Sequence, residues 1–280
     1  MSNEMHRSHS SIPLPAICLI GSGMQIPEQL TLESLDALRQ CHEIYSILSP
    51  AEQEHLPEEF SPRLKSLWPL YKPGAPRADV YASEVETILE AAARHAPVAY
   101  LTPGHPIVFD RVTQGIITAA PTRGLTYKIF PGISSLDTML VDLQRDIAPG
   151  IQIYDATSMV VAHIEPRVDL DCLLFQIAVF GTTYVAAGYQ TLPDAFALLQ
   201  AHLLQFYPPE HEVIQVTSAF QGKPAAHLNH FALQHLSGPE CRIQVPSGSL
   251  FIPRLRSLTP DPALLAQIRH PSSLENSYRR

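Results

Sequence analysis

Three short strand-like runs in the first half of the chain each end in a glycine or proline turn, and each leads into a helical pattern. Ala16-Ile17-Cys18-Leu19-Ile20 closes at Gly21-Ser22-Gly23, and Leu32, Leu35 and Leu38 follow at helical spacing. Val98–Leu101 leads into Pro103-Gly104-His105-Pro106, followed by a helical stretch over Val112–Ala120. Tyr127–Phe130 leads into Pro131-Gly132-Ile133-Ser134-Ser135, followed by another over Leu136–Leu143. A short run that is apolar throughout describes a strand buried on both faces, the kind found in parallel sheets covered by helices. The alternation therefore predicts an α/β domain with a mainly parallel sheet. In such sheets ligands sit at the carboxyl ends of the strands, where glycine lets backbone approach closely. The first turn is not a full dinucleotide fingerprint, because Ile26 stands where its third glycine belongs.

Between these runs, Ile44–Leu48 reads as a second strand, and Ser49–Trp68, dotted with prolines, as short helices and loop. Asp79–His95 is the clearest helix, with Val80, Val85, Ile88 and Leu89 on one face. The second half changes character. Gln152–Tyr154, Cys172–Phe180, Val213–Thr217 and Ser249–Ile252 read as strands, with one long helix over Asp194–Phe206. The expected organisation is a loose arm over 1–12, an N-terminal α/β domain over 13–132, a C-terminal α/β domain with a mixed sheet over 133–256, and a polar tail over 257–280.

Composition excludes several classes. Of 280 residues, 45% are hydrophobic and 16% charged, which is globular, and the net charge of −8 leaves no basic surface for nucleic acid. The longest apolar run, Cys172–Gly181, is interrupted by Gln176 and is far shorter than the roughly 18 residues a spanning helix needs. Met1–Ser11 is polar, so neither a signal peptide nor a membrane anchor is expected, and a cytoplasmic location is. The four cysteines are scattered without metal or redox spacing. His227, His230 and His235 do not fall on one helical ligand face, and no metal is expected.

Taken in order, Leu19-Ile20-Gly21-Ser22-Gly23, Leu30–Leu35, Gly104-His105-Pro106 and Pro131-Gly132-Ile133-Ser134 resemble the tetrapyrrole (corrin/porphyrin) methylase superfamily over about residues 16–255. That resemblance implies two α/β lobes with S-adenosyl-L-methionine folded between them. A narrower likeness is carried by Tyr71, Arg77 and Tyr81, then Gly104–Phe109, Pro131–Ser134, Tyr154-Asp155-Ala156-Thr157 and Leu174-Phe175-Gln176. This set resembles the borosin branch, whose enzymes methylate backbone amide nitrogens of a ribosomal precursor peptide. The resemblance puts the catalytic set on Tyr71, Arg77 and Tyr81. It puts cofactor contacts on Gly21, on Pro103, Gly104, His105 and Val108, on Ser134 and Ser135, and on Gln176, Ala219, Gly248 and Ser249. It also implies a homodimer in which one subunit helps hold substrate at the other's site.

The residues carry an independent argument. An amide nitrogen is a poor nucleophile because its lone pair is delocalised into the carbonyl. Methylation needs the amide proton removed and the developing imidate oxygen stabilised, and a guanidinium offers a fixed positive fork for that oxygen. An Arg neighbour favours a phenolate, so a tyrosine can be the base; the spacing does not decide which one. Arg77 and Tyr81, four apart at a helix start, share a face. Gln176, in an apolar run, is a buried amide that needs a hydrogen-bond partner, which a cofactor supplies. Two departures stand out. Pro103 takes a place where the borosin branch tends to carry an aromatic residue, and Ser257–Arg280 has no run of valines, isoleucines and glycines that could be a methylated core. The expected substrate is therefore a separate peptide. The rival reading, a tetrapyrrole or other small-molecule methyltransferase of the same fold, has no need for the Tyr/Arg/Tyr set. A cofactor-binding protein that has lost catalysis has no need of it either.

Overall fold

The computed structural model describes residues 13–185, 195–221, 225–238, 241 and 248–268. The predicted arm over 1–12 and the end of the tail lie outside them, as does Asp194. Two five-stranded sheets follow one another along the chain. The first has strand order β3-β2-β4-β1-β5, from β1 (Ile17–Gly21), β2 (Glu43–Ser46), β3 (Leu64–Ser66), β4 (Val98–Thr102) and β5 (Tyr127–Phe130). Every pairing in it is parallel. The central strands β1 and β4 are buried along their whole length, which is why they read as unbroken apolar runs. Helices α1 (Leu32–Gln40), α2 (Pro50–Gln53), α3 (Arg77–His95) and α4 (Arg111–Ala119) join these strands.

Helix α5 (Ser135–Leu143) leads from β5 to the second sheet, of order β6-β7-β10-β8-β9. Its strands are β6 (Ile151–Asp155), β7 (Asp171–Phe175), β8 (Glu212–Thr217), β9 (His227–Ala232) and β10 (Ser249–Ile252). Only β6 and β7 are parallel; the other pairings are antiparallel, so this sheet is mixed. Helices α6 (Ala156–Val161) and α7 (Ala195–Leu203) cover one face, where Met159, Leu199, Leu203 and Tyr207 pack on Cys172, Leu174 and Leu250. Among the described residues no helix is long and apolar enough to cross a membrane.

Local sequence explains most element starts. Asp110 and Ser134 cap α4 and α5 by accepting from the backbone N–H of Thr113 and Asp137, and Asp137 returns the bond to Ser134. The elements missed are short or polar. β3 lies inside the stretch read as helices and loop, α6 follows β6 without a break, and α8 (Pro262–Ile268) interrupts the tail. β9 carries His227 and His230, two of the histidines weighed as ligands, and His230 Nδ1 lies 3.3 Å from Glu212. One predicted strand ends early in the structure. Cys172–Phe180 reads as continuous because it is apolar, yet β7 ends at Phe175, Gln176 turns left-handed with φ 62°, and Ile177–Val179 forms a tight helical turn. A buried turn and a buried strand have the same hydrophobicity, so the run alone cannot separate them. Of the three leucines at helical spacing, Leu38 is buried in α1 while Leu32 is 81% exposed.

Candidate active site

The three glycine turns meet at one point. A Cβ on Gly21 would stand 2.3 Å from the Gly104 carbonyl oxygen and 2.9 Å from Gly132 N, and one on Gly132 would stand 2.3 Å from the same oxygen. Gly23 and Gly104 exchange backbone hydrogen bonds of 3.1 and 2.9 Å, which ties the β1 turn to the β4 turn. Backbone can come this close only where no side chain intervenes. Above this contact lies a cavity of about 170 Å³ between the two sheets.

Its walls come from three places. The first sheet contributes Met24, Pro103, Gly104, His105 and Val108; the head of α5 contributes Ser134 and Ser135; the second sheet contributes Phe175, Gln176, Gly248 and Ser249. Nine of the eleven positions expected at the cofactor thus stand around one cavity, while Gly21 and Ala219 are not among its lining residues. Gly21 is covered by the Gly104 carbonyl and Gly132. Ala219 lies past the end of β8, where the neighbouring Ser218 is held by Asp142 at 2.6 Å. Met24 and Phe175 were not anticipated. The turn after Gly23 and the last apolar residue before Gln176 were the signals available. The lining mixes apolar surface from Met24, Val108 and Phe175 with hydroxyl, amide and imidazole groups. That mixture fits a nucleoside, whose base is flat and apolar on its faces and whose sugar and tail are polar. Ser134 spends its side chain on capping: its Oγ donates to Asp137 Oδ2 at 2.6 Å. Gln176 owes its placement to the left-handed turn, not to a strand register. Phe109 also takes a positive φ, 55°, and stacks on Phe175 with ring centroids 4.4 Å apart, joining the β4 turn to the second sheet.

Tyr71, Arg77 and Tyr81 gather outside the cavity lining, within electrostatic reach of one another. Pro76 precedes the first turn of α3, so Arg77 opens the helix and Tyr81 lies one turn on. Residues 74–77 pair with the second sheet's loop: Gly74 N donates to Val185 O at 2.8 Å, Val185 N to Ala75 O at 2.8 Å, and Arg77 N to Thr183 O at 2.9 Å. The Arg77 guanidinium donates to the Thr182 carbonyl. Tyr71 Oη donates to Glu84 Oε2 at 3.2 Å. Asp110, at the end of the loop that begins with the cavity residues Pro103 and Gly104, acts electrostatically on Tyr71, Tyr81 and Glu84 alike.

These environments revise the electrostatic expectation. Burial pushes the Tyr71 hydroxyl far up, and the nearby Glu84 carboxyl adds to the shift. Burial also raises Tyr81, and Arg77 beside it offsets only part of that. Neither phenolate is favoured, because loss of hydration outweighs the one nearby cation. Glu84, absent from the sequence-derived set, is wholly buried and pushed up to about 8, chiefly by burial. Its signal was an acid at the centre of the apolar stripe Val80, Ile88, Ala91 and Ala92.

The family model for Tetrapyrrole (Corrin/Porphyrin) Methylases matches residues 16–219. The chain belongs to that family. It carries a methyltransferase domain whose methyl donor is S-adenosylmethionine. It is similar to a methyltransferase/ribosomally synthesized type III borosin cyclic peptide precursor of Anomoporia bombycina, with 24% identity over 90% of this chain and 30% of that protein. It is likewise similar to a type I borosin counterpart of Serendipita vermifera subsp. bescii, with 25% identity over 97% of this chain and 65% of that one. The chain therefore spans from about a third to two thirds of the length of these relatives. Among solved structures, uroporphyrin-III C-methyltransferase from Thermus thermophilus, complexed with S-adenyl homocysteine, shares the fold. The TM-score is 0.57 at 16% identity, covering 84% of this chain and 96% of that one.

A calorimetric titration should show S-adenosylhomocysteine binding to the wild-type protein. Gly248→Val should weaken that binding at least about tenfold, because a branched side chain fills a cavity wall. The fold should tolerate it, since a Cβ there meets nothing closer than 3.7 Å. Absence of wild-type binding would refute the cavity as the cofactor site.

Proposed function

We propose that this methyltransferase acts on backbone amide nitrogens of a ribosomal precursor peptide supplied as a separate chain, and that it works as a homodimer. The observation that carries the reading is the Tyr71–Arg77–Tyr81 cluster, set beside the loop whose first residues line the cavity. The curated relatives, named as methyltransferase and borosin precursor in one protein, support a peptide as the acceptor. Met24, Gly104, His105, Ser135, Gln176 and Ser249 would hold S-adenosylmethionine, which supplies an electrophilic methyl group on a sulfonium sulfur. The chain's own part is to activate the amide. Arg77 would place its positive fork on the amide oxygen as charge develops there, where a fixed donor costs no reorganisation. A tyrosine oxygen would accept the N–H proton as its own hydroxyl proton leaves. The phenol rings, with Pro103 and Val108, would keep water from the sulfonium.

Within residues 258–268 no stretch is suited to being the methylated peptide. Pro260 and Pro262 carry no N–H to replace, and Leu258–Ile268 has no run of small and β-branched residues. The test is to incubate the protein with cofactor and the peptide encoded by a short reading frame beside its gene. Mass spectrometry should show increments of one methylene, with fragment ions placing them on backbone nitrogens. An unmodified peptide would refute the reading. With cofactor alone the protein's intact mass should stay constant, and a series of added methyl groups would overturn the separate-substrate assignment.

A further inference from the structure

We propose that Glu84 is the proton acceptor behind Tyr71, so that a buried carboxylate, acting through the tyrosine hydroxyl, is the base of amide methylation. The inference rests on the function proposed above and adds a residue to its site. Glu84 lies seven positions after Arg77 and three after Tyr81, on one face of α3. It is wholly buried in a stripe otherwise made of Val80, Ile88, Ala91 and Ala92. Oε2 accepts from Tyr71 Oη at 3.2 Å, while Oε1 has no hydrogen-bond partner among the described residues. A carboxyl group is costly in such a place, and leaving one oxygen unpaired adds to the cost. Packing alone would be served better by leucine or methionine.

The groups that face Glu84 are Tyr71 from the loop after β3, Tyr81 on its own helix, Tyr100 on β4 and Asp110 at the head of α4. All are neutral or acidic. The guanidinium of Arg77 is engaged with Thr182 and Tyr81. With no ion pair among the described residues, Glu84 is held up at about 8, where it takes and releases a proton near neutral pH. Tyr71 is far too weak an acid to become a phenolate beside it.

Relayed transfer removes that difficulty. As the N–CH3 bond forms, the amide N–H bond breaks and its proton joins Tyr71 Oη. The Tyr71 O–H proton passes along the existing hydrogen bond to Glu84 Oε2. The electron pair of the sulfur–methyl bond stays with sulfur, and the net products are a methylated amide, a neutral thioether and a protonated Glu84. No phenolate is formed at any point.

Two experiments test the relay. In infrared titration of the full chain alone, a carboxylic-acid C=O band should vanish with a midpoint of about 8. Glu84→Gln should lack the band. Tyr71→Phe should move the midpoint higher, because the lost hydrogen bond favoured the carboxylate. A band that titrates in the usual carboxylate range would overturn the proposal. In methylation of the peptide used above, the wild-type kcat should rise with pH through the same midpoint. Glu84→Gln keeps the shape and an acceptor oxygen but takes no proton; it should lose that limb and fall about 10²–10⁴-fold, with partial rescue by Glu84→Asp. Equal rates and an unchanged pH profile in Glu84→Gln would end the inference and leave the peptide reading intact. A wild-type protein that methylates no peptide would end that reading, while the infrared midpoint still judges the acid at position 84.

Discussion

Arg77→Ala should lower methyl transfer to the peptide by about 10²–10³, a loss of roughly 3–4 kcal/mol of transition-state stabilisation. The guanidinium counters the effect of burial on the Tyr81 hydroxyl, and charge on the amide oxygen grows only as the nitrogen is methylated. The effect should therefore fall on kcat, with S-adenosylhomocysteine affinity nearly unchanged. Tyr71→Phe and Tyr81→Phe should also cut turnover without loss of cofactor binding. Arg77→Lys should be poor as well, since an ammonium cannot hold the Thr182 carbonyl and a substrate oxygen with one planar fork. The contact to Thr182 gives Arg77 a structural share, so the melting temperature must be followed alongside. Normal turnover in Arg77→Ala would reject the catalytic role, as would an activity loss that merely tracks stability.

Gly132→Ala should destabilise the protein by about 3 kcal/mol or more. The added methyl would lie 2.3 Å from the Gly104 carbonyl and 2.8 Å from that of Gly21. Both neighbours are backbone at the ends of central strands, so neither can rotate away as a side chain would. Gly21→Ala should be as damaging for the same reason. Gly124→Ala is the control: its φ of 69° carries a cost of about 1 kcal/mol, but a Cβ there meets nothing within 4 Å. Urea denaturation of the set should separate close approach from backbone conformation. A Gly132→Ala protein as stable as Gly124→Ala would show that the three turns are not in contact.

The parallel sheet was legible because β1 and β4 show burial directly as hydrophobicity, and because β1, β4 and β5 each end at a turn residue. The nine cavity residues were legible by motif and order. What stayed hidden has physical causes. β3 has three residues and a mostly exposed face, so it shows no period to read. Gln176 sits at the end of an apolar stretch in which strand and tight turn have equal hydrophobicity. Glu84 looked like an ordinary helix acid, since charged residues in a helix are usually solvated.

The sequence by itself determined the α/β class, the glycines at the strand ends, the helix over Asp79–His95 and the family to which the motifs belong. Those are properties of neighbours along the chain, where spacing translates into burial and backbone freedom. Only the tertiary structure decided that Gly21, Gly104 and Gly132 share one point, that Arg77 reaches Thr182, and that Tyr71 meets a buried Glu84. Each of these joins residues from different elements, and such contacts arise from how the sheets and helices pack. Packing also sets the electrostatics: the same glutamate that would be a solvated anion on an exposed face becomes a weak acid once α3 lies against β4 and the β4–α4 loop.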